Sequence, residues 1–260
     1  MEPDVPVGIV RGLRALREHL NPTQARPEVG PHLKLRQRRR VGDRVQKVFL
    51  LSPAKVSGAR AGLLLNPNAP FALARQFQRE GLPLAEVFTF ASGLYFRGKI
   101  TYARFFAAKR SGTVVRVITT NSGLLDPETM LTPESLRAFG TVDIHENDAR
   151  YHGPLKRDAC GLASKLGKNG VAVLLGSIAT AKYRDVLLDC FGDKLVFPKE
   201  FIGRGDMSRG ALLLRAAKAD TELEYIKVAG AVYSGQRATR IAEMKIASAP
   251  GRRTPRNTKR

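Results

Sequence analysis

VFLLSPAKVSG, residues 48–58, runs four apolar residues straight into Ser52, Pro53, Ala54 and Lys55. An all-apolar run of this length ending at a proline reads as a strand buried on both faces, as strands of parallel sheets are. Its carboxyl end then carries a hydroxyl and an amine, side chains with a use there if a ligand waits above the strand.

The same alternation continues outward. Strand-like runs stand at 47–51 (KVFLL), 113–118 (TVVRVI), 171–176 (VAVLLG) and 194–198 (KLVFP), and segments of helical period separate them. Helices are expected over 69–81, with Asn68 as N-cap and Gly81 as stop, and over 94–108, with Tyr95, Ile100 and Phe106 among its bulk. Two more are expected over 153–167, with Pro154 near its start and Gly167 at its end, and over 179–192, again closed by glycine. This pattern predicts an α/β fold with a mostly parallel sheet and helices on both faces.

Length and charge set the organisation. The chain's 260 residues allow one large α/β domain. Its 44 Lys plus Arg against 23 Asp plus Glu give +21, of which residues 1–44 hold +5, 245–260 hold +6 and the middle keeps +10. Residues 1–44 read as a flexible basic arm with a short amphipathic helix at 9–20 and the cluster KLRQRRR at 34–40. Residues 45–246 read as the α/β domain, and 247–260 as a disordered basic tail. Such charge favours a polyanionic partner, nucleic acid first, with DNA ahead of RNA. Arg36, Arg38, Arg39, Arg40, Arg252 and Arg253 are the candidate contacts, and a solvated basic surface is the alternative.

The longest apolar runs fall far short of the ~20 residues of a membrane span, so no membrane partner is expected. The amino terminus lacks a signal-peptide core, and Cys160 and Cys190 make no disulfide framework, which together point to the cytoplasm. Both cysteines are expected on helices as small apolar residues. No metal or cofactor is expected either: His145 and His152 match no established zinc spacing, and no Walker A sequence occurs.

The loops after the strands carry the candidate site. Ser52 and Lys55 follow the first strand, Ser122 and Gly123 the second, and Gly176 and Ser177 the third. After the fourth, GRGDMSRG (203–210) offers Gly203, Arg204, Gly205, Ser208 and Arg209 at the start of a helix. Hydroxyls, cations and loop amides of this kind can hold a phosphate or nucleotide. Asp206 or Ser208 can cap the helix, and Gly203 and Gly205 can take positive φ. Asp126 and Asp206 are candidate proton acceptors, Asp126 also reading as a turn residue. Ser52 with Lys55 matches the spacing of Ser-x-x-Lys acylases without their further partners, so no catalytic residue is assigned. Tyr95, Arg97, Lys99 and Arg104, with Tyr102 and Phe105, can stack on bases and hold phosphates, or form a core helix with a charged face.

Ser52-Pro53-Ala54-Lys55 after the first strand resembles the opening of the peroxide-stress-response protein family (YaaA). A Ser-x-x-Lys loop, then Leu94-Tyr95 with Arg97 and Tyr102-Ala103, then Gly123-Leu124-Leu125-Asp126-Pro127, then the glycine-rich 203–210 turn, is similar to a set of uncharacterised bacterial and phage domains. The resemblance covers roughly residues 47 to 216. It implies a single α/β domain with DNA binding, and a distant similarity to domains attached to guanine-modifying enzymes implies a role in base modification. Two functions are therefore expected in parallel: a nucleic-acid-binding α/β protein with an anion-accepting cleft at the strand ends, or an enzyme acting on a nucleotide, nucleobase or phosphorylated metabolite.

Overall fold

The computed structural model describes residues 45–145, 147–179 and 181–231. The arm and tail assignments, with Arg36, Arg38, Arg39, Arg40, Arg252 and Arg253, lie outside the described residues.

The fold is α/β, as the alternation implies. Strand β1 (Val45–Leu51) pairs in parallel with β3 (Thr113–Ile118) on one side and β6 (Leu166–Leu175) on the other. Strand β7 (Leu195–Pro198) continues in parallel beyond β6. The two outermost strands, β4 (Leu124–Leu125) and β8 (Tyr225–Lys227), are antiparallel, giving the order β4-β3-β1-β6-β7-β8. β2 (Leu82–Pro83) and β5 (Met130–Leu131) form a separate antiparallel pair. Residues 48–51 are fully buried, which explains their unbroken apolar run: a central parallel strand has no face left for water.

The chain leaves β1 toward β3, then returns to place β6 on β1's opposite side. The order of connection therefore reverses at β1, and Ser52 stands at the carboxyl end of that switch point.

Eight α-helices complete the described residues: α1 (Ala59–Leu65), α2 (Ala72–Glu80), α3 (Leu84–Ser92), α4 (Leu94–Ala108), α5 (Pro133–Gly140), α6 (Ala149–Lys165), α7 (Ala181–Phe191) and α8 (Asp206–Lys218). α4 packs on α8, and α6 on α7. The former approach depends on two glycines inside helices. A Cβ on Gly98 would lie 2.5 Å from the Gly210 carbonyl oxygen, and one on Gly210 would lie 2.8 Å from that of Leu94, so only glycine lets these backbones touch. That contact holds the first turn of α8 against the first turns of α4.

Several expected boundaries move. Phe71 and not Asn68 is the N-cap of α2, while Gly81 does end it, with φ 74°. α6 begins at Ala149 because the Asp148 carboxylate caps the Arg150 N–H, leaving Pro154 inside the helix, and Gly167 belongs to β6. The cysteine reading is corrected too. Both lie on helices, but Cys160 on α6 and Cys190 on α7 are disulfide-bonded, their Cα atoms 4.7 Å apart. Tight packing of these two helices brings the sulfurs together, a proximity that a separation of 30 residues does not reveal. Cysteine usage is thus no argument for a reducing compartment. Among the described residues no helix is long and apolar enough to cross a membrane.

Candidate functional site

Ser52 follows β1 and is held by its N–H, which donates to the Leu175 carbonyl of β6 at 3.2 Å. Beneath it comes Lys99, from the second turn of α4. Positions 95, 96, 99, 102, 103 and 106 form that helix's buried stripe, so Lys99 points inward with the aromatics and is 1% exposed. Its Nζ reaches the Ser52 carbonyl oxygen at 2.5 Å and Ser52 Oγ at 2.9 Å, over the rings of Tyr95 (4.5 Å to the centroid) and Phe96 (5.0 Å). Among the described residues no carboxylate forms an ion pair with it. Burial without an ion pair pushes the amine down to about 7 from an ordinary 10.5, against the pull of the Asp206 carboxylate, which favours the charged form.

Tyr183 closes the other side. It sits on the first turn of α7, where its Oη accepts the Ser177 N–H at 2.9 Å and hydrogen-bonds Ser52. Gly176 fits between them: a Cβ there would lie 2.9 Å from both Ser52 Cβ and Tyr183 Oη. The α8 turn contributes Asp206 and Arg209. The Arg209 guanidinium donates from Nε and Nη2 to the Phe201 carbonyl and stands 3.7 Å from Asp206, close enough to bear electrostatically on Tyr95 and Tyr183. Two phenols around the cluster have no hydrogen-bond partner, Tyr95 Oη and Tyr151 Oη. Burial raises both, and each interacts with Tyr183. Orphaned buried hydroxyls cost about 1–3 kcal/mol each. One beside the buried amine and one interacting with Tyr183 mark a polar enclave, not a packed core.

The sequence-derived candidates divide accordingly. Ser52, Gly176, Ser177 and Arg209 converge on one place, and Asp206 joins them. Lys55 does not: it is exposed, and the amine that meets Ser52 is Lys99. Ser122 and Gly123 lie beyond the end of β3, but their polar groups serve their own turn. Ser122 bonds Asn121 and Thr119, and the space above Gly123, which has φ 65°, is filled by Asp158 and the Pro154 carbonyl. Gly203 has φ 72°, but Gly205 has an ordinary φ of −80° and caps α8 through no side chain; neither Asp206 nor Ser208 is the cap. Arg204 and Ser208 bond each other on the surface. Asp126 is paired with Arg116 on β3 and caps the Glu128 N–H, a turn role.

Sequence reasoning reached Lys99 only as one residue of a mixed helix and passed over Tyr183 and Tyr151. The signal for Lys99 was present: it stands four residues after Tyr95 and three before Tyr102, on the apolar stripe.

No protein-family model matches the chain, and no curated protein or solved structure matches it either.

Proposed function

We propose that this carboxyl-edge cluster receives an anionic, nucleotide-type ligand and that the protein binds nucleic acid, presenting a phosphate or base to Ser52, Lys99 and Arg209. The observation that carries the reading is Lys99, a buried amine given two oxygens of one serine and no carboxylate. A lysine kept only for stability is normally ion-paired with an acid; one that is buried without an ion pair beside Arg209 is ready to take up a proton as a negative charge arrives. The net charge of +21 supports the choice of a polyanion.

Fluorescence anisotropy of labelled nucleotides and of a single-stranded oligonucleotide tests it. Arg209→Gln should weaken nucleotide binding at least tenfold while leaving the melting temperature within a few degrees. Replacing Arg38, Arg39 and Arg40 together with Gln should lower the oligonucleotide salt slope by about 2, close to 0.7 per released contact on a single strand. Failure of both ligands to bind, or equal nucleotide affinity in Arg209→Gln, would exclude the reading.

A further inference from the structure

We infer that Ser52 is a nucleophile and Lys99 the base that takes its proton, so that the site transfers phosphoryl groups through a covalent serine ester. This rests on the ligand site proposed above and assigns it a reaction. The hydroxyl and amine are 2.9 Å apart, within direct proton-transfer distance. Nζ donates to the Ser52 carbonyl at 2.5 Å and lies 2.9 Å from Oγ, and once the amine has lost its proton its lone pair can turn to that hydroxyl. A lysine serves as a base only when neutral, and burial brings the Lys99 amine down to about 7, against the ring faces of Tyr95 and Phe96 and the Asp206 carboxylate, which favour the ammonium.

The neighbours suit the other half of the reaction. Tyr183 Oη accepts the Ser177 N–H and faces Ser52 across Gly176, beside the position an oxygen bound at Ser52 would take. Arg209 adds positive charge nearby. The absence of a side chain on Gly176 matters as well: a Cβ there would stand 3.2 Å from Ser52 Oγ, across the approach to the hydroxyl.

Neutral Lys99 takes the Ser52 hydroxyl proton as Oγ bonds to phosphorus and the bond from phosphorus to the leaving oxygen breaks. The Lys99 ammonium then returns its proton to that leaving oxygen. Water or an acceptor hydroxyl discharges the serine ester, its proton passing through Lys99 back to Ser52 Oγ.

An organofluorophosphonate probe applied to the full-length protein tests the assignment, since attack forms the same Oγ–P bond and expels fluoride. Peptide mass mapping should place the adduct on Ser52, and the labelling rate should rise with pH through about 7 as Lys99 loses its proton. Ser52→Ala should abolish labelling. Lys99→Met and Lys99→Arg, each checked by melting temperature, should slow it roughly 100-fold, the low end of the range for a lost general base. An unlabelled Ser52 in folded wild type, or wild-type rates in both Lys99 variants, would overturn the inference. Excess nucleotide should protect Ser52. Labelling that follows the predicted pH profile yet resists nucleotide would retain the nucleophile and refute the nucleotide ligand.

Discussion

Two buried lysines flank β1, one at each end, and the chain treats them in opposite ways. At the amino end Lys47 pairs with Glu222, and the same carboxylate accepts the Tyr225 hydroxyl and meets Arg110 at 3.6 Å. Tyr225 and Tyr102 bond through their hydroxyls at 2.6 Å, and the Leu223 N–H donates to Tyr102. Every member of that network has a partner. At the carboxyl end Lys99 forms no ion pair among the described residues, and the hydroxyls of Tyr95 and Tyr151 make no hydrogen bond within ordinary distance. A closed network of polar groups fixes a core; an open one stores binding and reaction potential at the cost of stability. The amino end is therefore the structural pole of the sheet, although Thr113 Oγ1 opposite Lys47 has no partner, and the carboxyl end is the pole to which we assign the proposed site.

The contrast is most easily broken at Glu222. Glu222→Gln should cost about 3 kcal/mol by urea denaturation, because it leaves Lys47 charged, largely buried and unpaired. A loss below about 1 kcal/mol would mean that Lys47 is solvated in practice and that the two ends do not differ.

The second effect concerns pH. The unfolded chain keeps Lys99 protonated up to its ordinary 10.5, whereas the folded amine gives up its proton near 7. Between those values the unfolded state binds more protons, so folding stability rises with pH. Below 7 the lysine is charged in both states and the protein bears the cost of burying it. Stability of the wild type relative to Lys99→Met should increase by about 2 kcal/mol between pH 7 and 9, from ~1.4 kcal/mol per pH unit discounted for partial titration. A flat difference would place the charge of Lys99 in a compensated environment after all.

The smallest effect sharpens the structural pole. Tyr225→Phe removes a donor to Glu222 and the partner of Tyr102, and should cost about 1 kcal/mol. Tyr95→Phe removes a hydroxyl that bonds nothing and should leave stability unchanged or slightly raised. Equal losses in the two variants would show that Tyr95 is satisfied.

The same two poles separate what the sequence disclosed from what it did not. Residues 48–51 and 171–175 announced central parallel strands because burial on both faces removes polar residues, whereas 113–118, half-buried over its first four residues, keeps Thr113 and Arg116 and was legible from its β-branched run. The edge strands β4 and β8 are two and three residues long and half-exposed, too short for any periodicity to develop. Ser52, Gly176 and Ser177 were legible because α/β sheets place ligands at strand ends. Lys99 was harder to find, since proximity to Ser52 arises from a contact across 47 residues. Arg209 and Asp206 reach the cluster only because Gly98 and Gly210 let two helices touch. The disulfide was hidden for the same reason: helix packing, not spacing along the chain, decides which sulfurs meet.

The central claim is that Lys99 is neutral in a substantial fraction of folded molecules at neutral pH. Titration of its side-chain carbon and nitrogen signals by NMR, assigned by comparison with Lys99→Met, measures this directly. The midpoint should lie at about 7. A midpoint near the ordinary 10.5 would contradict it and leave Ser52 facing a permanent cation in place of a base.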